Sequence, residues 1–81
     1  MSAQWTYKYN DNTIVVKNDG MIALVVNGEI QDKHEGVHVN NIEMTGKLST
    51  GEEIKVRLGG FWKIKCNLFV DNKLQEPVEE L

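Results

Sequence analysis

The residues best able to do chemistry in this chain are two histidines, one cysteine, two serines and several adjacent carboxylates. His34 and His38 stand four apart, a spacing that brings two imidazoles to one metal only when a helix carries them. Gly36 and the β-branched Val37 and Val39 predict a loop entering a strand instead, so the rings point apart. Asp32 and Glu35 lie close enough to complete a fortuitous divalent site, but the reading adopted is two surface histidines on a connector. Cys66 falls in phase with Ile64, Leu68 and Val70, which predicts an inward thiol, held protonated by apolar surroundings and inert. Ser2 and Ser49 sit near the start of the chain and in a turn, and neither occupies a nucleophile elbow. Glu52 and Glu53 would face opposite sides of a strand, and Glu79 and Glu80 lie in the last residues. A phosphate loop would need a helix to open, and none is expected. These spacings predict a non-enzymatic protein with no catalytic residue, metal ligand or cofactor.

Binding chemistry has more to work with. Lys55 and Arg57 face outward on one expected strand, and Lys63 and Lys65 face outward on the next. Paired across Gly59 and Gly60, they would form a basic stripe able to hold a polyanion or small anionic ligand. Such lysines also keep a sheet face wetted without any ligand. A second candidate is apolar. Val25 and Phe69 point away from the inner layer, in the same outward phase as Val15, Ala23 and Phe61. Together they form a candidate surface for self-association or a protein partner. The alternative is coverage of this surface by the chain's own Val78 and Leu81.

The elements that must position these residues are strands. Apolar residues recur with a period of two, and no 3.6-residue stripe is present. Trp5, Tyr7 and Tyr9 alternate with Gln4, Thr6 and Lys8, and Ile14 and Val16 resume the pattern after Asn10-Asp11-Asn12. Asn27-Gly28 follows a β-prone run and predicts a tight hairpin, with residues 29–32 returning. Residues 33–36 read as a connector. Val37, Val39, Ile42 and Met44 read as one strand that changes face, through a bulge, at Asn40-Asn41. Ile54, Val56 and Leu58 alternate cleanly, and Gly59-Gly60 reads as a tight reversal. Trp62, Ile64, Cys66, Leu68 and Val70 form the longest inward row, before a turn at Asp71-Asn72.

Two stretches of the chain resemble each other. Ala23-Leu24-Val25-Val26-Asn27-Gly28-Glu29-Ile30-Gln31-Asp32 matches Asn67-Leu68-Phe69-Val70-Asp71-Asn72-Lys73-Leu74-Gln75-Glu76. Upstream, Ile14 and Val16 correspond to Ile54 and Val56, and Gly20 to Gly60. A four-strand unit with one apolar face cannot bury that face alone, whereas two units stacked face to face can. The expected fold is therefore all-β. It is an antiparallel β-sandwich or flattened barrel of about eight strands, from pseudo-symmetric repeats over residues 5–32 and 44–76. Residues 77–81 read as an acidic tail, partly frayed.

At 81 residues the chain has room for one domain, 1–81, and nearly every apolar residue is needed for its core. The net charge of -3 argues against nucleic acid and anionic membrane as partners. A single cysteine fits a reducing compartment, so the expected location is cytoplasmic. The first residues carry no basic-then-apolar leader pattern, and the longest apolar run, Met21–Val26, is far too short to span a bilayer.

The repeated Leu-x-Val-[Asn/Asp]-x-x-[Ile/Leu]-Gln-[Asp/Glu] pattern, with Thr45-Gly46-Lys47-Leu48 and Leu58-Gly59-Gly60 between, resembles a group of short uncharacterised bacterial all-β proteins. More distantly, Val26-Asn27-Gly28, Gly46-Lys47-Leu48 and Gly60-Phe61-Trp62 are similar in order to motifs of the β-sandwich domains of Fas apoptotic inhibitory molecule. That resemblance implies a non-enzymatic β-sandwich and transfers no death-signalling role.

Overall fold

Asn27 and Gly28 both adopt positive φ, 50° and 85°, as do Asp71 and Asn72, at 48° and 65°. Two consecutive left-handed residues make the type I′ turn whose twist matches that of paired strands. Each turn closes a hairpin between strands with apolar inner faces, and the architecture grows from there. The computed structural model describes residues 3–35, 41–60 and 63–81. Among these residues every regular element is a strand.

The first antiparallel sheet contains β1 (Ala3–Tyr9), β2 (Asn12–Asn18), β3 (Met21–Val26) and β4 (Glu29–Glu35) as an up-and-down meander. The second contains β5 (Ile42–Lys47), β6 (Glu53–Gly59), β7 (Lys65–Val70) and β8 (Lys73–Gln75), again in sequence order. The short β9 (Glu79–Glu80) leaves the second meander and pairs with β1 as the outer strand of the first sheet. The expected frayed tail is thus a fifth strand. Its backbone bonds explain why: Gln4 and Leu81 exchange N–H···O=C bonds of 2.9 and 2.8 Å, and Val78 N–H donates to Thr6 O at 2.7 Å.

The sheets stack on a single core. Tyr7, Ile14, Val16, Ile22 and Leu24 from the first meet Met44, Ile54, Val56, Leu58, Leu68 and Val70 from the second, all almost fully buried. Alternation puts these residues inward on every strand, which is the all-β sandwich expected from the period-two pattern. No helix among the described residues is long and apolar enough to cross a membrane.

Two local expectations are corrected. The returning strand runs on to Glu35, so His34 lies on β4 and not in a connector. A separate bulge, not expected from the sequence, lies in β4, where Leu24 faces Asp32 but Val25 faces Ile30, leaving Gln31 as the extra residue. The reversal after β6 is longer than two glycines, because Gly59 pairs with Lys65. Gly60 still shapes it: with φ at 151°, a Cβ there would fall 2.0 Å from the Lys63 carbonyl oxygen. The expected strand through Val37 and Val39 with its change of face at Asn40, His38 and the inward Trp62 lie outside the described residues.

Candidate functional site

The outer faces carry the binding candidates. On the first sheet the register aligns Thr6, Val15, Val25 and Ile30 in one row across β1 to β4. Val15 and Val25 are half-buried, and Ile30, beside the hairpin turn, is 58% exposed. The next row contains Gln4, Lys17, Ala23 and Lys33. Ala23 is buried between these lysines and contributes no exposed apolar surface. On the second sheet the matching row is Thr45, Lys55, Phe69 and Leu74, with Leu74 54% exposed.

The expected surface of Val15, Val25, Phe69 and Phe61 is therefore not one patch. Val15 and Val25 look out from the first sheet and Phe69 from the second, because stacking two like units turns their outer faces in opposite directions. Phe61 lies outside the described residues. Ile30 and Leu74 were missed as surface residues. The signal was available: across a two-residue turn each falls opposite an outward residue, Val25 or Phe69.

The basic stripe is reshaped as well. Lys55, Arg57 and Lys65 share the outer face of β6 and β7, as parity predicted. Arg57 Nε, however, donates to Glu43 Oε2 at 3.2 Å, an exposed ion pair across β5 and β6. Lys63 precedes β7 in a bend and leaves the row. Glu43 and Glu53 lie on the same face, so positive charge is interrupted.

Inside the sandwich one polar contact stands out. The Tyr7 hydroxyl donates to Cys66 Sγ at 3.3 Å, joining β1 to β7 across the two sheets. Tyr7 is buried, and Cys66 is half-buried at the margin of the core. Burial pushes the Cys66 thiol up to about 11, with Glu80 adding to the rise and the Tyr7 bond offsetting part of it. Burial likewise drives the Tyr7 hydroxyl well above its ordinary range. Such a pair is protonated at neutral pH, a poor nucleophile beside a poor base.

The margin where β4 and β5 meet is closed by side chains. Asp32 Oδ2 accepts from Thr45 N–H at 3.1 Å, and Gln31 Oε1 accepts from Lys47 N–H at 2.8 Å. These donors belong to the outer edge of β5, which would otherwise present a row of unpaired amides. The bulge at Gln31 is what allows two successive residues of β4 to reach that edge.

Among the described residues no group of three or more His, Cys, Asp or Glu side chains is arranged to hold a metal ion. No family model matches the chain, and no curated protein or solved structure shows significant similarity to it.

Proposed function

We propose that this chain is a non-enzymatic protein-interaction module that self-associates through the outer face of its first sheet. The observation that carries this reading is the aliphatic row of Val15, Val25 and Ile30, continuous across three strands and most exposed at Ile30. The second sheet interrupts its equivalent row with Lys55, which favours the first. Charge on the first face supports pairing of like with like. Lys8, Lys17 and Lys33 share it with Glu35 and Glu79, which lie toward opposite edges of the sheet. A two-fold arrangement can set acids of one copy against lysines of the other.

Strand register also favours reading the two meanders as copies of one unit. Thr6, Val15, Val25 and Ile30 correspond one by one to Thr45, Lys55, Phe69 and Leu74. The single cysteine favours a reducing, cytoplasmic setting.

Sedimentation velocity over a concentration series tests the interface. The wild type is expected to shift reversibly toward dimer, Ile30→Asp to remain monomeric, and Leu74→Asp on the opposite face to behave as wild type. A wild type that stays monomeric throughout removes the reading. A second reading, a polyanion site at Lys55, Arg57 and Lys65, is favoured by their shared face. It requires binding to a polyphosphate that weakens steeply with salt.

A further inference from the structure

β7 pairs with β6 along its whole length but with β8 only at Leu68, Phe69 and Val70. The turn at Asp71-Asn72 fixes which backbone groups face which neighbour. In a two-residue hairpin the flanking residues, here Val70 and Lys73, exchange both N–H···O=C bonds, and the pattern recurs at every second residue. The backbone groups of Val70 and Leu68 therefore face β8, and those of Cys66 face the same way. The same alternation, carried through β6 to β5, turns the Thr45 and Lys47 amides outward, which is where Asp32 and Gln31 bind them. Because β8 stops at Gln75, no strand among the described residues pairs with Cys66 on that side.

Beside this open stretch lies a cleft of about 730 Å³ between β1, β9 and β7. Trp5, Ile64, Cys66 and Leu81 supply its apolar lining, and Lys63, Lys65 and Glu80 its charges. A volume of this size holds a side chain or two with their backbone.

We propose that the open edge of β7 accepts a short extended peptide as an added strand. The peptide residue opposite Cys66 shares its inward phase, so an apolar side chain there enters the cleft over Trp5 and Ile64. Residues on either side of it share the outward phase of Lys65 and Asn67, where an acidic side chain meets Lys65, with Lys63 on the rim of the same cleft. The site thus selects an acidic–apolar step in extended conformation, with backbone bonds supplying the rest of the affinity. It is separate from the outer face of the first sheet, and either can operate without the other.

Amide hydrogen exchange by NMR on the whole chain tests the proposal, with acetyl-Thr-Ser-Glu-Leu-Thr-Ser-amide as probe and Lys in place of its Glu as comparison. In the free protein the Cys66 amide is expected to exchange at least tenfold faster than those of Leu68 and Val70. Saturating Glu-Leu peptide is expected to slow Cys66 by a similar factor and shift the Trp5 indole signal, with the Lys-Leu peptide binding several-fold more weakly. Lys65→Glu is expected to reverse that preference while leaving the β6–β7 amides protected. Three results would each overturn the proposal. One is a Cys66 amide already as protected as Leu68 in the free protein. Another is peptide-induced shifts at the lysines without slowing at Cys66. The third is a peptide preference unmoved by Lys65→Glu.

Discussion

Asn27 and Asp71 show how much one turn residue can carry. Each sits at positive φ, accepts a 2.9 Å bond on its side-chain oxygen from the N–H of Thr13 or Glu53, and donates its own N–H back to that residue's carbonyl. The turn is thereby clasped to the start of β2 or β6, a strand it does not belong to. Asn27→Gly keeps the conformation and loses two exposed side-chain bonds, the one accepted from Thr13 N–H and one donated to Asn12 Oδ1 at 2.9 Å. Together these are worth about 1–2 kcal/mol. Asn27→Ala loses both bonds and adds left-handed strain, for a total of about 2–4 kcal/mol. Urea unfolding of the two variants is expected to rank them in that order; equal midpoints would mean the side chain alone matters. The Cys66 thiol makes a second prediction through pH. Its folded value of about 11 lies above the ordinary 9.0, so the native state holds the proton more tightly than the unfolded chain does. The stabilisation this gives is complete below pH 9 and is lost as pH rises through 11. The stability difference between wild type and Cys66→Ala is therefore expected to narrow across that window. Iodoacetamide is expected to label the native thiol slowly at neutral pH and quickly in urea. Fast native labelling at neutral pH would contradict the assignment.

At the scale of the element, the margin between β4 and β5 decides how the sandwich is closed. Two sheets with no shared backbone ladder there are joined by Gln31 and Asp32, each satisfying one β5 amide. Gly46 permits it: a Cβ at that position would come within 2.8 Å of Gln31 Oε1 and 3.0 Å of Leu24 Cδ2. Gln31→Ala and Gly46→Ala are both expected to release the Lys47 amide, raising its exchange rate while Thr45 stays slow. Asp32→Ala is expected to do the reverse. Each should cost about 1 kcal/mol, with more for Gly46→Ala because its methyl also crowds the core. Release of neither amide would show that the margin is held by packing alone. This closure was not legible in the sequence, whereas the strands and tight turns around it were. Period-two alternation and Asn-Gly are local signals, carried by Ile14 and Val16 or by two adjacent residues. A bulge at Gln31 is a property of how β4 registers against β3, and it appears only when both strands are aligned. The same limit explains Val25 and Phe69. Their equivalence in sequence was readable, but their separation on opposite outer faces depends on how the two units stack.

For the whole molecule, the decisive feature is that two meanders of similar length bury one core between them. Leu24 on β3 and Leu68 on β7 are both fully buried, on opposite sheets of that core. A four-strand meander with its apolar face uncovered has nothing else to bury it against, and a chain this short has little stability to spare. The crossing from β8 to β9 ties the layers further, since the last strand of the chain completes the sheet formed by its first half. Neither sheet should therefore unfold alone. Leu24→Ala and Leu68→Ala each remove a buried leucine and are expected to cost about 2–5 kcal/mol. The sharper expectation concerns where the loss appears. In Leu24→Ala the slow amides of β6, on the other sheet, should accelerate as much as those of β2. In Leu68→Ala the slow amides of β2 should accelerate as much as those of β6. Acceleration confined to the mutated sheet would mean that each meander is a separate folding unit. The face-to-face core would then be a docking surface between two small domains and not the single structure that holds every candidate site in place.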